Sequence, residues 1–176
     1  MVEVSVREQP GERVVVPFLC GFGAAGTLAA AWLLFERRPR GAGWAALAAG
    51  ACLVLAGVLL RPADRRIRVL LSFAERAFDG CVLGALAWVL RQDEPSTAAA
   101  ALVALAAGFL ASYIRARGGS LGYGIEEGIV TPALRYGLLS LALVLGWTSW
   151  AIWVVAVLTL LAATVRSSQV AKEERL

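Results

Sequence analysis

The chain has 176 residues, of which 59% are apolar and 17% are charged, and its mean hydropathy is +0.71. A soluble domain of this length cannot bury so much apolar surface in its own core, so part of that surface must face lipid. The net charge of +4 would suit a nucleic-acid-binding protein, but the basic residues cluster at the ends of apolar segments, so no nucleic-acid partner is expected.

The apolar runs of the first half predict four membrane-spanning helices. Residues 14–35 and 41–60 carry no charge, and each is long enough to cross a hydrocarbon core of about 30 Å at about 1.5 Å per residue. The third helix, residues 67–90, reaches the necessary length only by including polar residues near its start. The fourth, residues 97–114, follows Pro95-Ser96, which is typical of a helix start.

The second half predicts two more helices. Residues 136–165 are uncharged, and a single helix of that length would extend about 45 Å, too far for one crossing. The sequence Gly-Trp-Thr-Ser at residues 146–149 is the natural break. The predicted spans are therefore 128–146 and 149–165, which gives an all-α, six-transmembrane-helix bundle.

The basic residues predict that both ends of the chain are cytoplasmic. With the amino terminus inside, the basic residues on the outer side are Arg37, Arg38, Arg40 and Arg91, out of 17 in the chain. This asymmetry agrees with the positive-inside rule. The segments outside the spans are too short to fold alone, so we expect one integral membrane domain over residues 1–176.

Two features that could indicate a cofactor or a metal are interpreted as helix packing. Residues 21–26, Gly-Phe-Gly-Ala-Ala-Gly, match a dinucleotide-binding motif, but they lie inside the first apolar run and not between a strand and a helix. Small residues at such spacing let membrane helices approach closely. Cys20, Cys52 and Cys81 lie far apart in apolar runs of a chain without histidine, so buried free thiols are predicted.

The third helix carries the first candidate functional residues. Arg68, Ser72, Glu75 and Asp79 follow at spacings that place them on one helix face. Ionisable residues near the bilayer centre cost roughly 2.5–3.5 kcal/mol each and usually mark function. Glu75 could instead be solvated at the interface, where Arg76 snorkels. Asp79 is predicted near mid-membrane, facing the bundle interior, and both functional and structural roles remain open for the two acids.

A second candidate group lies at helix ends on the predicted cytoplasmic side. Ser112, Arg115 and Arg117 end the fourth helix, and Arg135 opens the uncharged run of the fifth. Arginines at a helix C-terminus interact favourably with the helix dipole and need no ligand. The same residues beside glycines could also clamp a phosphate.

Together these segments resemble a known family. Residues 75–80, Glu-Arg-Ala-Phe-Asp-Gly, and the following residues 82–88 resemble the third helix of CDP-alcohol phosphatidyltransferases, closest to the actinobacterial phosphatidylinositol-phosphate and phosphatidylglycerol-phosphate synthase type. Residues 112–117 and 128–135 resemble the helices that follow, and Thr-Val-Arg at 164–166 fits the usual ending. The resemblance covers residues 67–168.

The resemblance implies a six-helix protein of the bacterial cytoplasmic membrane that forms homodimers and works in phospholipid biosynthesis. Such proteins transfer a phosphatidyl or similar group from a CDP-linked lipid, such as CDP-diacylglycerol (CDP-DAG), to an alcohol and release CMP. Signature aspartates hold the divalent metal ions at the pyrophosphate. Arg115, Arg117 and Arg135 match basic positions that would face an acceptor phosphate, whereas Pro132 replaces a further arginine.

The aspartate signature itself, D-x2-D-G-x2-A-R-x8-G-x3-D-x3-D, is largely missing. With Glu75 on the last aspartate, Leu71 stands at the one before it, and Gly50 and Leu53 stand at the two early positions. Asp64 is the nearest other acid in the sequence. One carboxylate cannot hold a divalent metal pair against water and pyrophosphate, so the resemblance implies the fold while the departures argue against the usual reaction.

Three hypotheses follow. The first is a transferase-like protein without metal-dependent activity and without a metal cofactor, which binds lipid or nucleotide or pairs with an active paralogue. The second is an atypical transferase in which Glu75, Asp79 and Asp64 hold Mg²⁺ or Mn²⁺ and the first two are catalytic. The third is a small transporter or assembly factor with Asp79 as an intramembrane proton or partner site.

Overall fold

The structure is a computed structural model that describes residues 12–59, 65–124 and 131–173. These ranges contain six α-helices and no strand, so the predicted all-α, six-helix fold is confirmed. In chain order the helices are α1 (Glu12–Phe35), α2 (Pro39–Leu59), α3 (Arg65–Leu90), α4 (Pro95–Ser120), α5 (Pro132–Leu145) and α6 (Thr148–Glu173).

Two helices extend beyond their predicted ends. Helix α4 continues to Ser120 instead of residue 114, and α6 continues to Glu173 instead of residue 165. The predicted spans end at the first arginine because they follow the apolar runs, but arginine has a high helix propensity, so the helices continue past it. These helices therefore carry their arginines on regular backbone beyond the apolar segment.

The predicted break between the last two helices is confirmed. Gly146 caps α5 in the left-handed conformation, with φ of +81°, which costs glycine little. Helix α5 begins with Pro132 after Thr131, whose hydroxyl oxygen accepts a hydrogen bond from the Leu134 N–H at 3.3 Å. The predicted start of this helix near Gly128 lies outside the described residues.

Small residues bring the first two helices together. Helix α1 packs on α2 and α3, α2 also packs on α5, and α4 packs on α3 and α6. A Cβ added at Gly23 would lie 2.7 Å from Leu53, and one added at Gly26 would lie 3.1 Å from Ala49. The glycine-rich stretch of α1 is therefore a helix-packing surface, as predicted. Cys20 is buried, and all three cysteines are free thiols.

The distribution of side-chain size is the reverse of that in a soluble bundle. Many buried positions of the core are alanines, while large apolar side chains such as Phe22, Trp147 and Trp150 are about two-thirds exposed. Four helices, α1, α2, α4 and α6, are long and apolar enough to cross a membrane. Helix α5 has 14 residues and α3 carries several charges. This pattern fits close helix packing inside and lipid outside.

The close contact between α2 and α5 depends on Gly43. A Cβ there would lie 2.8 Å from the Val144 nitrogen and 2.9 Å from the Ser140 carbonyl oxygen, which are backbone atoms. We predict that Gly43→Ala lowers stability by about 1–3 kcal/mol, because the two helices must separate. Thermal unfolding in detergent, followed by circular dichroism, measures this effect.

Gly137→Ala is the matched control, because a Cβ on this α5 glycine meets no heavy atom within 4 Å. It should be neutral or stabilising by up to about 1 kcal/mol, since alanine favours helix. Equal melting temperatures for the Gly43→Ala variant and the wild type would show that α2 and α5 do not pack at this distance.

Candidate functional site

The site is built around Asp79 in the middle of α3. Its side chain is almost completely buried, as predicted for a residue facing the bundle interior. Arg76 lies one turn earlier on the same helix face, and its Nη1 is 3.1 Å from Asp79 Oδ2. Arg135 Nη2, from the first turn of α5, is 3.0 Å from the same oxygen. One carboxylate oxygen therefore contacts two guanidinium groups and balances only one of their two positive charges.

The geometry of these two contacts is that of ion pairs and not of well-directed hydrogen bonds. Neither Asp79 oxygen makes a well-directed hydrogen bond within the described part of the chain, and Asp79 Oδ1 has no ion pair either. The buried Arg135 Nε likewise has no hydrogen-bond partner there. Buried polar atoms without partners are costly and often belong to functional sites, so Asp79 and Arg135 have unused hydrogen-bonding capacity.

Gly108 of α4 makes room for both arginines. A Cβ at this position would lie 2.8 Å from Arg135 Nη1. The Gly108 carbonyl oxygen accepts a hydrogen bond from Arg76 Nη1 at 3.1 Å and one from the Ser112 hydroxyl at 2.9 Å. A larger residue at position 108 would displace the Arg135 guanidinium. The glycine is therefore needed for the observed position of that group.

Two further arginines complete the group. Arg166, in the extension of α6, is buried and donates a hydrogen bond from Nη1 to the Ala111 carbonyl oxygen at 2.9 Å. Arg115 lies one turn beyond Ala111 on α4 and is half-buried. Arg76, Arg115, Arg135 and Arg166 are called the arginine cluster below.

The arginine cluster surrounds a cavity of about 30 Å³ between α3, α4, α5 and α6. The lining residues are Arg76, Gly108, Ala111, Ser112, Arg115, Pro132, Arg135, Thr159, Ala162 and Arg166. Asp79 does not line the cavity itself, but it contacts two arginines that do. Four cations around one small space form a site whose chemistry favours an anion, above all a phosphate.

The structure assembles most of the predicted phosphate-binding residues and separates one from them. Ser112, Arg115 and Arg135 line the cavity, whereas Arg117 is exposed and does not line it. Glu75 is half-buried and does not line it either. Its backbone carbonyl accepts a long hydrogen bond, 3.5 Å, from the hydroxyl of Tyr136.

The predicted acidic cluster is not assembled in the described part of the chain. No group of three or more Asp, Glu or Cys side chains in that part could hold a metal ion. Asp79 is already neutralised by two guanidinium groups, and a divalent cation at its carboxylate would lie beside two positive charges. Asp64 lies outside the described residues. The donor groups of the described site do not fit a divalent metal ion.

The architecture matches a solved structure, although no protein-family model matches the sequence and no curated protein is similar to it. The crystal structure is that of the phosphatidylinositol phosphate synthase of Mycobacterium tuberculosis with CDP-DAG bound. The match has a TM-score of 0.76 and covers 90% of this chain and 94% of that chain. The chain has the fold of this synthase. At 19% sequence identity, the similarity establishes the fold and not the activity.

The synthase is a CDP-alcohol phosphatidyltransferase, so the resemblance predicted from the sequence is confirmed at the level of the fold. The apolar helices and the fold of this membrane enzyme together identify the chain as a membrane protein with transmembrane helices.

The sequence does not identify Arg76 and Arg166 as members of the arginine cluster, nor Gly108 as their neighbour on α4. Snorkelling is one of the alternatives that the sequence leaves open for Arg76, but its side chain is only 17% exposed and forms an ion pair with Asp79. Its spacing of three residues from Asp79 was the available signal. Arg166 was assigned only to the end of the last span. Gly108 gave no signal, because its role depends on where α5 places Arg135.

The buried ion pair should be more sensitive to mutation than an exposed one. We predict that Arg135→Met lowers stability by about 1.5–3 kcal/mol, because Asp79 keeps Arg76 but loses its second charged contact in a buried site. Arg37→Met is the control, since it breaks an exposed pair, Arg37 to Asp93 at 2.9 Å, and should cost about 1 kcal/mol or less. Melting temperatures in detergent compare the two, and similar small losses would contradict the buried geometry.

Proposed function

We propose that the chain is a membrane protein of phospholipid metabolism that binds a phosphate-bearing headgroup, such as that of CDP-DAG, without metal-dependent transferase activity. The observation that carries this proposal is the site itself. Four arginines surround one cavity, and the buried Asp79 carboxylate beside them forms ion pairs with two of the four. Such a site is suited to holding phosphate and is poorly suited to holding metal.

Guanidinium groups bind phosphate through two parallel N–H donors and keep their charge when buried. Arg135 and Arg166 are both mostly buried, so their electrostatic attraction for an anion is screened less than at an exposed surface. The cavity of about 30 Å³ matches the volume of a single water molecule. Binding of a phosphate group therefore requires the long arginine side chains to move apart.

The proposal also includes the orientation of the bundle in the membrane. Arg76 lies in the first half of α3, Arg115 towards the end of α4, Arg135 in the first turn of α5 and Arg166 towards the end of α6. All four arginines therefore lie at one end of the bundle. We assign this end to the cytoplasmic face of a bacterial inner membrane, with both termini on the same side, because basic residues favour that face.

The proposal also includes a partner. A protein that holds a CDP-lipid with no cluster of metal-binding carboxylates among its described residues would supply binding or structure, either as a homodimer or beside an active paralogue. The large apolar side chains on the outside of the described helices provide surface for such pairing as well as for lipid.

The first experiment measures catalysis. Purified protein with CDP-DAG, Mg²⁺ or Mn²⁺, and inositol phosphate or glycerol phosphate is expected to release no CMP above background. Magnesium-dependent release would overturn the proposal. The Glu75→Gln, Asp79→Asn double variant would then show whether those acids carry the reaction.

The second experiment measures binding with a matched pair of variants on α4. Arg115→Gln removes a charge from the cavity lining, whereas Arg117→Gln removes one from an exposed position two residues away. We predict that Arg115→Gln weakens CDP-DAG binding by about 10- to 100-fold, since a hydrogen bond to a charged group contributes about 1.5–3 kcal/mol. Arg117→Gln should change it by about twofold or less. Equal losses would indicate general attraction to the basic surface.

A further inference from the structure

We propose that the Asp79 carboxylate competes with a bound phosphate for the guanidinium groups of Arg76 and Arg135. Asp79 balances one of their two positive charges, and its own charge limits how tightly the arginine cluster binds an anion. This inference rests on the proposed function, because it requires that the cluster binds a phosphate group. It gives Asp79, the one fully buried acid among the described residues, a role opposite to that of a metal ligand.

The geometry places the carboxylate and the ligand on the same two cations. Asp79 Oδ2 is 3.0 Å from Arg135 Nη2 and 3.1 Å from Arg76 Nη1. Both arginines also line the cavity, while Asp79 does not. A phosphate in the cavity would therefore contact two guanidinium groups whose positive charge is already partly balanced by the Asp79 carboxylate. Each guanidinium has five N–H donors, so it can contact both anions at once.

The direction in which removal of the Asp79 charge changes phosphate affinity distinguishes this role from metal binding. A carboxylate that holds a metal ion favours a phosphate through that ion, so removing its charge weakens ligand binding. A carboxylate that shares arginines with the phosphate repels it, so removing its charge strengthens ligand binding. Asparagine has nearly the shape of aspartate and keeps a neutral carbonyl oxygen in place of the carboxylate, which makes Asp79→Asn the direct test.

Replacement of the Asp79 carboxylate by a bound phosphate, as the partner of the two arginines, should also affect stability. In the Asp79→Asn variant Arg135 and Arg76 lose their carboxylate partner, and a buried charge without a partner is strongly destabilising. A bound phosphate would then supply the missing negative charge. The ligand should therefore raise the melting temperature of this variant by more than it raises that of the wild type.

The test measures binding and melting temperature for the full chain in detergent, with and without EDTA. Two probes, CDP-DAG and inorganic phosphate, show whether a lipid headgroup or a free phosphate is the source of the anion. Asp93→Asn is the matched control, because it removes the acid of an exposed Arg37–Asp93 pair on another part of the bundle. Wild-type binding should change by about twofold or less on chelation.

We expect Asp79→Asn to bind one or both probes about tenfold more tightly than the wild type, and Asp93→Asn to bind them equally well. Weaker binding by Asp79→Asn, or loss of wild-type binding in EDTA, would overturn this inference while leaving the proposed headgroup binding intact. If the wild type binds neither probe, the proposed function itself fails.

If the Asp79→Asn variant unfolds during purification, the inference still makes a testable prediction. Addition of the probe throughout extraction should then recover folded protein, because the phosphate replaces the missing carboxylate. Failure of such recovery, with a wild type that binds the probe, would show that Asp79 is a structural counter-ion and not a competitor.

Discussion

The buried contact of Asp79 with Arg76 and Arg135 is the interaction on which the rest of the site depends. A charge in the middle of a membrane-protein bundle is stable only when it is paired. The partners come from α3 itself and from the first turn of α5, so the pairing fixes how α5 sits against α3. Once both guanidinium groups are held there, they lie at the cavity edge, where Arg115 and Arg166 join them.

This arrangement is possible because the neighbouring helices carry glycine at the positions of closest contact. Gly108 leaves space for the Arg135 guanidinium, and its carbonyl oxygen accepts a hydrogen bond from Arg76. Gly43 of α2 allows contact with the backbone of α5, and Gly50 of α2 leaves space for the Tyr136 side chain. Large arginines inside the bundle are thus accommodated by small residues on the neighbouring helices, which is the usual solution where helices pack within lipid.

Much of the fold could be predicted from the sequence, because the signals are local. Uncharged runs, the break at Gly146 and the excess of arginine on one side depend on residues close together in the chain. The site was less predictable. The burial of Asp79 followed from its depth along α3, but the contact with Arg135 joins residues 56 positions apart and depends on helix packing. For the same reason Arg166 could not be distinguished from an ordinary arginine at a membrane boundary.

The fold alone does not determine the chemistry of the site. The similar synthase structure contains CDP-DAG, but its 19% identity to this chain establishes the fold alone. In the described part of this chain, the cations that line the cavity are arginines, and two of them form ion pairs with the buried Asp79. A metal ion must be held by several carboxylates, whereas an arginine carries its charge on its own side chain. The arginine cluster therefore supplies positive charge at the cavity without a metal ion.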